Sequence, residues 1–148
     1  MFKSLIVYDT KRGETQKIAE MLAEELRSLD IEVKLSDVHE IKDLTDLFGY
    51  NAYLFGCPTY LGEMTENMKE MLFLAARADL VEKVGGAFGA YGWSGEVPKR
   101  IHGTMQHVFK MNMTAEPLML SSSTVKIAGK MIKKYCQEIA AKLNNRTA

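Results

Sequence analysis

Thr10, Gly13 and Thr15 lie close together between an apolar run and an amphipathic stretch. The run Leu5-Ile6-Val7 reads as a strand, and Ile18, Met21, Leu22 and Leu26 recur at helical spacing. A strand ending in a hydroxyl-bearing loop at a helix start is a ready anion site. Unpaired backbone N–H groups point outward there, and the helix dipole favours negative charge. Asp9, Lys11, Arg12 and Glu14 complete the loop and set two cations beside the hydroxyls. These residue types suit a bound phosphate. A capped helix start is the plainer reading, because threonine is a common cap.

Two further loops carry unusual chemistry. Gly56-Cys57-Pro58-Thr59-Tyr60-Leu61-Gly62 follows the apolar run Ala52–Phe55 and projects a tyrosine from a turn bounded by proline and glycine. Gly89-Ala90-Tyr91-Gly92-Trp93-Ser94-Gly95 holds the single tryptophan between glycines. A lone loop aromatic usually folds back onto the protein's own surface. Two of them beside a phosphate loop instead describe a slot for a flat aromatic ligand with a phosphate tail.

The elements that must position these loops alternate along the chain. Leu5–Tyr8 reads as a strand and Glu14 to about Leu29 as a helix. Ile31–Leu35 alternates with period two, as an edge strand does, while Ala52–Phe55 is apolar throughout, as a central strand is. Asp43–Phe48 is at best a short helix. Met64, Met68, Met71, Leu72 and Ala75 stripe the next helix, and Ala87–Tyr91 is a small-residue strand. Val97, Ile101, Met105 and Val108 predict a further helix, Pro117–Leu120 a last strand weakened by its proline, and Ile127, Met131, Tyr135, Ile139 and Leu143 a closing helix. Five strands alternating with helices make an α/β, doubly wound parallel sheet, expected as one domain over 1–148. In such sheets ligands bind beyond the carboxyl ends of the strands, which is where all three loops fall.

Composition narrows the function further. Nineteen basic and nineteen acidic residues cancel, which argues against a nucleic-acid partner. No apolar run approaches a membrane span, and Lys3 leads straight into a strand pattern rather than a leader. Two distant cysteines, Cys57 and Cys136, suggest a reducing, cytoplasmic setting and no disulfide. His39, His102 and His107 lack metal-ligand spacing, so no metal is expected. His102 reads as a solvated surface residue, and Cys57 as a small buried one. There is no nucleophile elbow and no P-loop.

Taken with their loops, Thr10, Gly13 and Thr15 resemble the phosphate signature of the flavodoxin family. Cys57-Pro58-Thr59-Tyr60 resembles the family's flavin-covering loop. Tyr91-Gly92-Trp93-Ser94-Gly95 is similar to the corresponding loop in flavodoxin domains of flavodiiron proteins. The resemblance covers essentially the whole chain and has the short-chain form. It implies a five-stranded sheet of order 2-1-3-4-5 and non-covalent FMN, with the phosphate on residues 10–15 and the ring between Tyr60 and Trp93. It also implies redox protein partners, such as a reductase or ferredoxin-type donor and an acceptor enzyme, and no catalytic acid or base. This sequence departs from the family pattern at Arg12, where a small hydroxyl residue is usual, at Leu61, where glycine is common, and in its neutral charge.

Two functions compete with a small electron carrier. One is an FMN-dependent NAD(P)H:quinone or small-molecule reductase, although no dinucleotide fingerprint occurs. The other is a flavin-binding interaction module without turnover.

Overall fold

The computed structural model describes residues 1–59, 62–92 and 95–146. Strand β1 (Lys3–Tyr8) leads into helix α1 (Glu14–Ser28), and β2 (Glu32–Asp37) follows. Next come β3 (Ala52–Gly56), α2 (Glu66–Ala75), β4 (Val84–Tyr91) and α3 (Glu96–Gly103). Two short strands, β5 (Asn112–Met113) and β6 (Leu118–Ser121), precede the closing helix α4 (Gly129–Arg146). Single 3-10 turns fill Val38–Glu40, Leu44–Leu47 and Val125–Ile127.

All pairings are parallel, and the order is β2-β1-β3-β4-β5, with β6 also on β4. This is the sheet order 2-1-3-4-5 expected from the sequence. The registers align the carboxyl ends: Tyr8 stands opposite both Asp37 and Gly56, and Gly56 opposite Phe88. The loops after β1, β3 and β4 therefore leave from one edge.

Alternation along the buried strands divides the core in two. Ile6, Leu54 and Phe88 face α1 and α4, meeting Ile18, Leu22, Ile132 and Ile139. Leu5, Val7, Tyr53 and Phe55 face α2 and α3, meeting Met68, Leu72, Val97 and Ile101. Covering both faces explains why β1 and β3 read as unbroken apolar runs.

Three elements differ from the sequence reading. The last strand is split: β5 pairs with Val84 and Gly85 at the start of β4, and β6 with Phe88–Tyr91 at its end. Between them Thr114 bonds the Glu116 carbonyl at 2.9 Å, and Pro117 has no N–H for the ladder. Val108 is exposed rather than core, because α3 passes into a π turn over Thr104–Val108 that shifts the side-chain phase. The α4 stripe also starts later than expected: Ile127 is 80% and Met131 50% exposed, while Ala128, Ile132 and Cys136 are buried.

Candidate functional site

The first loop is built around a glycine that caps a helix with no side-chain acceptor of its own. Gly13 sits at the N-cap of α1 with φ 86°, a left-handed conformation that glycine adopts without strain. Its carbonyl accepts from Lys17 N at 3.0 Å, and its own N–H donates to Thr10 Oγ1 at 2.9 Å. Asp9 is buried; its N–H donates to the Gly56 carbonyl at 3.0 Å and its Oδ1 accepts from Thr10 N at 2.8 Å. The loop is thereby pinned to the end of β3. Lys11 and Arg12 are exposed, and Glu14 is half-buried.

Thr15 is 1% exposed, and its Oγ1 is buried with no hydrogen-bond partner among the described residues. A buried hydroxyl without a partner costs on the order of 1–3 kcal/mol. It lies in the first turn of α1, where backbone N–H groups have no intrahelical acceptor. Its oxygen therefore fits a hydrogen bond to an external anion, and a phosphate matches both the hydroxyl and the helix start.

The second and third loops are latched together. Thr59 Oγ1 accepts from Val97 N at 3.2 Å and so supplies the cap that Gly95, at the N-cap of α3, cannot. Arg100 donates to the Gly62 carbonyl at 3.1 Å and pairs with Glu96 and Glu63. Gly62 takes φ 76°, the permissive backbone its position in the turn requires. Pro58 is half-buried and Cys57 fully buried, its thiol pushed up by burial. In the third loop Ala90 is buried, Tyr91 and Gly95 are half-buried and Gly92 is exposed. Tyr60, Leu61, Trp93 and Ser94 lie outside the described residues. Both latches escaped the sequence reading, since neither Thr59 nor Arg100 stands in a pattern that announces a bond across 38 residues.

A separate cleft of about 380 Å3 opens on the β2 side of the first loop, lined by Asp9, Thr10, Lys11, His39, Met64 and Asn67 among others. No described residue of the third loop lines it. His39 Nδ1 lies 2.5 Å from Asp37 Oδ1, which raises the His39 pKa, and its Nε2 lies 3.0 Å from Asn67 Nδ2. His102 differs from its expected solvated state: its Nδ1 is buried without a partner among the described residues, and burial lowers its pKa. The described residues contain no cluster able to hold a metal ion.

The flavodoxin family profile matches residues 6–138. The chain belongs to the flavodoxin family. Along 99% of its length it is 28% identical to the rubredoxin-oxygen oxidoreductase of Megalodesulfovibrio gigas, covering 37% of that protein. Over 60% of its length it is 38% identical to the flavodoxin of Maridesulfovibrio salexigens, covering 63% of that protein. It thus spans less than two thirds of either curated relative. The structure of a flavodoxin from the domain Archaea superposes with a TM-score of 0.81 at 23% identity, over 93% of this chain and 99% of the other. That last likeness concerns the fold. No helix among the described residues is long and apolar enough to cross a membrane.

Proposed function

We propose that this chain is an FMN-binding electron-transfer protein that passes low-potential electrons between redox protein partners. Its family membership and the orphaned Thr15 hydroxyl carry the reading. The phosphate of FMN would take Thr15 Oγ1, Thr10 and the first amides of α1, with Gly13 allowing close approach. The latched second and third loops would hold the ring, with Tyr60 and Trp93 on its faces. Gly62, Tyr91 and the neighbouring backbone of Pro58, Leu61, Ala90, Gly92, Ser94 and Gly95 would line its edges.

Bound FMN supplies the electron chemistry, and the protein sets its access and potential. Stacking on electron-rich rings disfavours an anionic reduced flavin and lowers its potential. The chain's residues supply hydrogen bonds and a rigid frame; none needs to move a proton. A cytoplasmic setting and a single domain fit this role.

An absorption spectrum recorded during stepwise reduction tests the reading. Flavin bands that shift as electrons enter, with activity only through a reductase partner, are expected. Protein that stays colourless after FMN is added overturns it. Rapid NADH or NADPH oxidation with quinone alone would identify the reductase alternative instead.

A further inference from the structure

The described ion pairs cluster on one side of the molecule. Lys69 pairs with Glu63 and Glu66, and Arg100 with Glu63 and Glu96, so two cations share three carboxylates beside the second and third loops. The opposite face, where α1 packs on α4, carries exposed Arg12, Lys17, Lys130, Lys133 and Lys134, none in an ion pair among the described residues. From Pro117 to Gln137 the sequence has four lysines and no carboxylate. Glu14 is the only acid from Thr10 to Ala19. Carboxylates return further along α1 at Glu20, Glu24 and Glu25, so the positive charge gathers at the helix starts, along the carboxyl edge of the sheet.

Lys17 and Lys130 also stand in the first turns of α1 and α4, where local energetics resist them. Both helices start at the sheet's carboxyl edge, and positive side chains near a helix N-terminus oppose its dipole, typically by a few tenths of a kcal/mol each. Ser122 N donates to the Tyr91 carbonyl at 2.9 Å, which ties the start of this basic segment to the third loop. Ile127 and Met131 lie exposed within the same segment, an apolar centre among lysines.

We infer that this face, from the first loop across α1 to the start of α4, docks an acidic protein that exchanges electrons with the bound flavin. The inference rests on the FMN reading above. Complementary charge steers such a partner to the edge where the cofactor would sit, and the apolar pair forms the dry centre of the contact.

Reduced, FMN-loaded protein is mixed in stopped flow with ferricyanide or with the cationic tris(phenanthroline)cobalt(III), across ionic strength. Bound flavin adds negative charge to a neutral protein, so net charge alone makes ferricyanide the repelled oxidant. Docking-face steering predicts the reverse: the ferricyanide rate falls about tenfold from low to high salt, the lower end of electrostatic steering. Lys130→Gln/Lys133→Gln/Lys134→Gln should flatten that slope with FMN absorbance unchanged. Decaglutamate peptide should slow ferricyanide at low salt in the parent protein and not in the triple variant. A ferricyanide rate that rises with salt, or a slope indifferent to the three lysines, overturns the inference. So does inert decaglutamate with phosphatidylglycerol vesicles or duplex DNA binding through those lysines. A protein that never takes up FMN fails at loading, before mixing, and that result refutes the cofactor reading instead.

Discussion

Thr10 and Gly13 close the first loop on itself, the Gly13 amide donating to Thr10 Oγ1 at 2.9 Å. That bond satisfies a loop amide and leaves the Thr10 hydroxyl proton to point elsewhere. Thr15, two residues beyond the glycine, has no such partner among the described residues and is buried. The two threonines are thus unequal: Thr10 shapes the loop, and the Thr15 hydroxyl is left for the proposed phosphate.

The orphaned hydroxyl predicts opposite effects of one substitution on the empty and loaded protein. Thr15→Val keeps the side-chain shape and removes an unsatisfied buried group. The apoprotein should gain about 1 kcal/mol in urea unfolding. FMN should bind about ten- to a hundredfold more weakly, for loss of a charge-assisted bond of about 1.5–3 kcal/mol. Riboflavin, which lacks the phosphate, should bind equally to both proteins. An apoprotein destabilised by the change would mean that Thr15 already has a partner.

Gly13 tests the backbone rather than the hydroxyls. A Cβ there meets nothing within 4 Å, so crowding is not the obstacle. The left-handed φ is. Gly13→Ala should cost about 1–2 kcal/mol, and Gly13→Asn distinctly less, since asparagine tolerates this region. Equal urea midpoints for the two variants would place the cost elsewhere.

How far the sequence foretold this molecule depends on which interactions are local. Runs such as Ala52–Phe55 betray burial on both faces, so the parallel sheet and the edge holding the three loops were readable. The turn through Thr10 and Gly13 into a helix was readable too, because a loop motif is contiguous. The split of the last strand was not, since pairing of Asn112 and Met113 with β4 leaves no periodicity in two residues. The π turn hid similarly: Val108 keeps helical spacing on paper, while the widened turn moves it to solvent. His102 looked like a surface residue, yet its ring is partly buried and feels the charge of Glu116, fourteen residues further on. The Thr59–Val97 and Arg100–Gly62 latches are long-range bonds that no local pattern encodes.

Trp93 carries the ring-stacking part of the proposal, and its removal is the direct check. Trp93→Ala should weaken FMN binding several-fold to tenfold, as expected for stacking worth about 1 kcal/mol beyond burial. Titration of the apoprotein with FMN measures it. An unchanged dissociation constant would remove the indole from the site.

The sheet's packing on α4 offers a coupled pair. Tyr135 is buried; its hydroxyl donates to the Ala87 carbonyl at 3.3 Å and lies 3.2 Å from Thr114 Oγ1. A Cβ on Gly86 would collide with that hydroxyl and stand 3.1 Å from Cζ. Tyr135→Phe should cost about 1 kcal/mol, and Gly86→Ala about 1–3 kcal/mol from overpacking. The double variant should recover part of the sum, because the phenylalanine withdraws the colliding oxygen but not the ring. Strict additivity in thermal unfolding would show that Gly86 is constrained by something other than Tyr135.

His39 predicts a pH dependence whose sign follows from its partner. The Asp37 hydrogen bond and charge raise the His39 pKa above its ordinary value. A raised folded pKa means that the ionic pair contributes fully below the unfolded pKa and is lost as pH rises through the folded one. The ring is exposed, so the effect belongs to the cleft rather than to global stability. NMR titration should give a His39 midpoint above that of a free histidine, and Asp37→Asn should return it to the ordinary range. Protonation also puts a hydrogen on Nε2, which then can no longer accept from Asn67 at 3.0 Å. The Asn67 amide must turn its oxygen inward, so its side-chain NH2 resonances should titrate with the His39 ring. Asn67 resonances indifferent to pH, or a midpoint unmoved in Asp37→Asn, would show that the ring is not held between these two residues.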